Sequence, residues 1–136
     1  MSHFTTVRTQ MKNREALVRA LRSLGFSAVE VHSIPQHLYG YVGDVRPQKA
    51  EIIVRRQYIS MASNDIGFSR QKDGTFKATI SEYDQGIGYN AEWLGRLSQQ
   101  YAYEILQEHI RSQRYAVVRQ EVQQDGSLRL LLRRFS

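Results

Sequence analysis

The residues able to carry chemistry are few in kind. The chain of 136 residues holds 4 His, 13 Asp and Glu, 19 Lys and Arg, and no Cys. Without Cys there is no disulfide framework, no thiolate nucleophile and no Cys-ligated zinc or iron–sulfur centre. His32 and His37 flank Pro35 and, with Glu30 or Asp44, offer imidazole and carboxylate groups of the kind that suit zinc or iron. Neither histidine has a second at helical i, i+4 spacing, so both read as loop histidines. His109 follows Glu108 directly, whereas a di-metal bundle places Glu and His three apart on one helical face. Glu104 and Glu108 stand at i, i+4 and read as a solvated helix face. His3 is a general base only in the sense that any histidine is.

Phosphate loops and nucleophile elbows are missing as well. Gly40-Tyr41-Val42-Gly43 lacks the following Lys-Ser/Thr, Gly86-Ile87-Gly88 lacks the third glycine of a dinucleotide fingerprint, and no Ser sits in Gly-x-Ser-x-Gly. Both glycine pairs read as turns. No catalytic residue, metal or cofactor is expected.

Binding chemistry is better represented. The net charge is +6, and it is uneven: residues 1–60 carry nine Lys/Arg against four Asp/Glu, 61–110 four against seven, and 111–136 six against two. The two basic ends could meet a polyphosphate if folding brings them to one face; a mixed solvated surface is the plainer alternative. Arg55, Arg56, Arg119, Arg129 and Arg133 fall on expected strands and are the candidate anion- or partner-binding cations. Tyr39 and Tyr41 are candidate loop contacts among 8 Tyr. Gly25-Phe26-Ser27-Ala28-Val29 echoes an RNA-recognition strand, but Leu24 replaces the basic residue and Ala28 the stacking aromatic, so that family is rejected.

These residues must be positioned by a domain of ordinary size, and 136 residues suffice for one core burying roughly two thirds of the unfolded surface. No window approaches the roughly 18 uninterrupted apolar residues of a membrane span, and the N-terminus lacks the pattern of a signal or transit peptide. Alternation predicts a strand over Phe4–Gln10. Asn13 then caps a helix to Leu24, with Leu17, Leu21 and Leu24 on one face and Gly25 closing it. Ala28–His32 and Glu51–Gln57 read as strands, with Arg55 pointing outward. Between them Ser33–Gln48, punctuated by Pro35, Gly40, Gly43 and Pro47, reads as a long loop.

Ile66–Arg70 and Thr75–Ile80 flank the turn signal Asp73-Gly74, and Tyr115–Gln123 and Ser127–Arg134 flank Asp125-Gly126. A main core helix runs from Asn90 to Gln113. The expected class is α+β, in the order β-α-β-β-β-β-α-β-β. It predicts a single antiparallel or mixed sheet of about seven strands with two helices on one face, leaving the other to water or a partner.

Four segments in order carry a resemblance: Met1-Ser2-His3-Phe4-Thr5-Thr6-Val7, Asn64-Asp65-Ile66-Gly67-Phe68, Gln100-Tyr101-Ala102-Tyr103, and Asp125-Gly126-Ser127-Leu128-Arg129-Leu130. Together they resemble the conserved hypothetical chloroplast reading frame thirty-five family of cyanobacteria and algal plastids, a domain of unknown function. Ser33–Gln48 matches least. The resemblance implies a cyanobacterial cytoplasm or, for the algal relatives, the plastid stroma, and supplies no catalytic residues to carry over. The expected function is a small basic, non-catalytic interaction or assembly module with a protein partner or complex, acting through the open sheet face or the Ser33–Gln48 loop. RNA or ribosome association is the alternative, an enzyme of unrecognised type comes third, and a homodimer is a further option.

Overall fold

A computed structural model describes residues 2–113 and 115–134, with side chains at 2–112 and 121–131. The elements are β1 (Phe4–Arg8), α1 (Arg14–Ser23), β2 (Val29–Tyr39), β3 (Val45–Val54), a 3-10 turn (Arg56–Tyr58), β4 (Ile66–Arg70), β5 (Phe76–Ser81), α2 (Glu82–Gly86), α3 (Ala91–Gln113), β6 (Tyr115–Val122) and β7 (Leu128–Arg134). The α+β class and the seven strands match expectation. The strands divide into a five-stranded antiparallel sheet, β1-β5-β4-β3-β2, and a separate β6-β7 hairpin. Among the described residues no helix is long and apolar enough to cross a membrane.

Local signals set the helix ends. The Asn13 side chain accepts from the Ala16 N–H at 2.9 Å, Glu15 lies in the first turn of α1 and Arg22 in the last, where the helix dipole favours them. Asn90 caps α3 in the same way through the Trp93 N–H. The buried stripe Leu17, Ala20 and Leu21 packs with Trp93, Leu94 and Leu97 of α3 on Ile52, Val54, Ile66, Phe68, Phe76, Ala78 and Ile80. Each large side chain fully buried there is worth about 1.5–3 kcal/mol. Tyr101 of α3 ties the helices together, its hydroxyl accepting from the Lys12 and Asn13 N–H groups at 3.0 and 2.9 Å.

The main departure from expectation lies at Ser33–Gln48. It is mostly strand: β2 and β3 form one long hairpin closed by the five residues 40–44. The register slips between Val31 and Gln36, where five steps on β2 oppose two on β3, and Pro35 sits in this irregularity, the place in a sheet that tolerates a missing N–H.

Beyond the slip the arm curls over the sheet face opposite the helices. Leu38, Ala50 and Ile53 are fully buried there and pack with Phe4. Arg46 clasps the far side, donating to the Ser2 carbonyl at 3.1 Å and lying 4.8 Å from the Phe4 ring centre. The approach is close at Gly67, where a Cβ would stand 2.8 Å from the Ala50 Cβ and 2.9 Å from Leu38 Cδ2. The face expected to be open is thus largely covered by the chain itself, and Thr79 and Ser81 beneath are buried.

The two Asp-Gly turns form as expected. In each the aspartate accepts from the N–H two residues on, Thr75 or Ser127, both at 2.9 Å, and the glycine has positive φ. On β7, Leu128 and Leu130 are only half-buried and Arg129 is exposed. A lone two-stranded hairpin needs a packing partner, and β6-β7 finds one in α3.

Candidate functional site

Ser63, Asn64 and Asp65 are fully buried, an unusual place for three consecutive polar residues; Ser63 bonds Ser60 and Arg56 within its own turn, while Asn64 and Asp65 hold other segments. Asp65 Oδ1 accepts from the Arg56 N–H at 2.7 Å, and Oδ2 from the Tyr39 N–H at 2.7 Å and Arg55 Nη1 at 2.8 Å. The Asp65 N–H returns to the Tyr39 carbonyl at 3.0 Å. Asn64 Oδ1 accepts from the Tyr41 N–H at 2.9 Å, its Nδ2 donates to Ser81 Oγ at 2.9 Å, and its N–H donates to Asp84 Oδ2 at 3.0 Å. Ser81 caps α2 and donates to the same Asp84 oxygen at 2.7 Å. This buried tripeptide therefore fixes the β2-β3 tip, the turn after β3 and the start of α2 at one end of the molecule.

The side chains carried by that frame are apolar and exposed. Val42 is 69 % and Met61 94 % exposed, with Tyr41 and Tyr58 beside them in sequence also in the open. Main-chain bonds hold the tip (Gly40 N–H to the Asp44 carbonyl, 2.8 Å; Gly43 N–H to the Gly40 carbonyl, 2.9 Å) and the turn (Tyr58 N–H to the Arg55 carbonyl, 3.0 Å). Of the expected contacts, Tyr39 and Tyr41 are therefore brought to this end. Val42, Tyr58 and Met61 were missed because isolated apolar residues among Gly, Ser and Asn show no periodicity.

The cations fare differently. Arg55, expected to point outward from a strand, lies past the end of β3 and is mostly buried. Nε and Nη2 both bond Glu30 at 2.9 Å, Nη1 bonds Asp65 and the His37 carbonyl, and the guanidinium carbon lies 5.0 Å from the Tyr39 ring centre. Arg56 folds onto its own turn, donating to the Ser63 and Met61 carbonyls at 3.1 and 3.0 Å. Both arginines spend these donors within the chain. Arg129 is exposed on β7 opposite Glu121. Arg119 and Arg133 stand on β6 and β7, and their side chains lie outside the described residues.

His32 Nε2 lies 2.8 Å from Glu30 Oε1 and His37 Nδ1 2.8 Å from the Arg46 carbonyl, so the two rings have separate partners. No group of three His, Asp or Glu among the described residues could hold a metal ion.

Burial pulls the Arg55 pKa down, but hydrogen bonds to Glu30 and Asp65 outweigh it and hold the value above the ordinary one. The Arg55 guanidinium holds the Glu30 carboxyl below its usual value, with His32 adding to the effect against burial. A depressed carboxylate stabilises the fold in full above its unfolded value near 4.5 and loses that contribution as pH falls through the lower folded value. Because 38 % of the Glu30 side chain is exposed, solvent screens the pair and the effect is modest. Urea midpoints measured between pH 7 and 3 are expected to fall less steeply in Glu30→Gln than in the parent; equal slopes would remove Glu30 from the acid response.

Residues 20–131 match the family model described as Protein of unknown function (DUF1257). The chain is 30% identical to the uncharacterized protein ycf35 of Cyanophora paradoxa over 99% of this chain and 98% of that one. It is 29% identical to the uncharacterized protein ycf35 of Pyropia yezoensis over 100% and 99%. No solved structure matches. With four fifths of its length inside one family model and end-to-end similarity to these two proteins, the chain belongs to the DUF1257 family.

Proposed function

We propose that this protein is a non-catalytic interaction module that docks another protein through the β2-β3 tip and the turn after β3, in the cytoplasm of a photosynthetic cell or the equivalent stroma. The observation that carries the reading is the exposure of Val42 and Met61 on backbone fixed by Asn64 and Asp65. An interface forms most favourably where apolar side chains are displayed on a preordered frame, because less conformational entropy is lost on binding. The neighbouring carboxylate of Asp65 is buried with both oxygens bonded to the chain's own donors, which supports a scaffold rather than an acid–base role for it.

The alternative is RNA association. Arg129, together with Arg119 and Arg133 on the same hairpin, supports it, whereas Arg55 and Arg56 act here as scaffold. Native purification from a photosynthetic host, with and without nuclease, separates the two. Val42→Glu with Met61→Glu is expected to leave thermal stability within about 0.5 kcal/mol of the parent. It should reduce a defined, stoichiometric protein partner by about tenfold or more, while Arg129→Glu and nuclease leave that partner in place. Co-purifying nucleic acid or ribosomal protein lost on nuclease and with Arg129→Glu, but indifferent to Val42 and Met61, overturns the proposal.

A further inference from the structure

α1 lies beside the free edge of β2, and the cleft between them is basic over an apolar floor. Val18 and Val31 form that floor, and Val31 is 43 % exposed although it pairs with Ile52 of the helix-side core. Arg14, Arg19 and Arg22 rim a hollow of about 390 Å³ against one carboxylate, Glu15. A second hollow of about 310 Å³ shares Arg14 and adds Arg70, His32 and Ser33, again against one carboxylate, Glu51.

Part of this charge is met within the chain, and the Arg70 guanidinium donates to the Lys12 and Gly74 carbonyls at 2.9 and 2.7 Å. Arg14 meets only the exposed Glu15, at 3.4 Å, Arg19 meets Glu104 at 3.4 Å, and Arg22 has no acidic partner among the described residues. Alongside, β2 is the outermost strand of the five, so one row of its N–H and C=O groups faces no strand. Its register with β3 is regular over Val29–Val31, and Val29–His32 carries neither Lys nor Pro, two residues that commonly guard an edge. The register slip and Pro35 end the usable stretch just beyond.

We propose that this cleft binds an extended acidic segment of another protein, added as a sixth strand along Val29–His32. Alternate side chains of such a segment fall on one face of the strand. Apolar ones meet Val18 and Val31, while flanking carboxylates meet Arg14 and Arg22 in charge-assisted hydrogen bonds. A nucleic-acid backbone would use the arginines but leave the apolar floor and the unpaired edge without partners, so the observations favour a peptide. The site shares no residue with the hairpin tip and stands independently of the reading given for it.

The test uses a labelled peptide of about ten residues that carries Glu, Val, Val and Glu at alternate positions, so that all four share one face, with Thr between them, its N-methylated counterpart, which keeps charge and side chains but cannot complete a ladder, and an oligouridylate of similar length. The peptide is expected to bind and to slow hydrogen exchange at the Val29–His32 amides. Arg14→Gln with Arg22→Gln, both on the exposed side of α1, should weaken it about tenfold, as should N-methylation. Val42→Glu with Met61→Glu should leave binding unchanged. The proposal is overturned if the peptide fails to bind, if the N-methylated form binds equally well, or if oligouridylate displaces it and binds more tightly with Val29–His32 exchange unaltered.

Discussion

Asp65→Ala is expected to lower the unfolding free energy by about 3–5 kcal/mol, the range found when one partner of a buried charged pair is removed. The side chain is fully buried and accepts three hydrogen bonds: the main-chain N–H groups of Tyr39 and Arg56 and the Arg55 guanidinium. Arg55 keeps its two bonds to Glu30, which limits the loss. The two N–H groups, which bonded an ionised acceptor, lose it, and leaving a buried donor unmade costs about 1–3 kcal/mol. Asp65→Asn should fall between, since its amide offers one acceptor oxygen but turns a donor toward the others. Urea unfolding with an unchanged m-value measures the effect, and amide exchange should report early loss of protection at Tyr39 and Tyr41. A shift under about 1 kcal/mol would show that the tip holds itself without this anchor.

Gly67→Ala tests the folded-over arm through the sign of its effect. In an ordinary strand interior, alanine in place of glycine is favourable by roughly 0.5–1 kcal/mol, because the unfolded chain has less freedom to lose. Here the new Cβ would meet Ala50 at 2.8 Å and Leu38 at 2.9 Å, so a loss of about 1–3 kcal/mol is expected, and more for Gly67→Val. Ala50→Gly on the alanine background removes one of the two obstructions and should return part of the loss, so the double-mutant cycle must show coupling. A stabilised Gly67→Ala would mean that the arm does not lie over this face.

How much of this was legible depends on how local each cause is. Asn13, Asn90, Asp73-Gly74 and Asp125-Gly126 act on N–H groups within three residues, and the turns and helix starts they predict are those observed. The α-helical stripe through Leu17 and Leu21 was equally direct. Ser33–Gln48 misled because Pro35 and Gly40 are turn formers by type, yet here one sits in a register slip and the other closes a hairpin. Its strands show no clean alternation, since the arm bends and changes what each face meets.

Arg55 misled for a related reason. Its partners Glu30 and Asp65 are 25 and 10 residues away, and no spacing rule connects them. Asn64-Asp65 contributed to the family resemblance without revealing that both side chains are buried. Their role became visible only when the hairpin tip was placed beside them.

The pairing of β1 also constrains how the protein emerges from the ribosome. Thr5 bonds the Ile80 carbonyl, 75 residues later, and the N–H groups that open the way into α1 wait for the hydroxyl of Tyr101. At about 5–20 residues per second, synthesis leaves the first strand without its neighbour for roughly 4–15 s. The β2-β3 hairpin, whose strands are consecutive, can form in that interval, but the sheet face it covers does not yet exist. A nascent chain released before Ile80 would carry β4 with one edge bare and Phe68 uncovered, so truncated products should partition to chaperones or proteases instead of persisting as a folded N-terminal half.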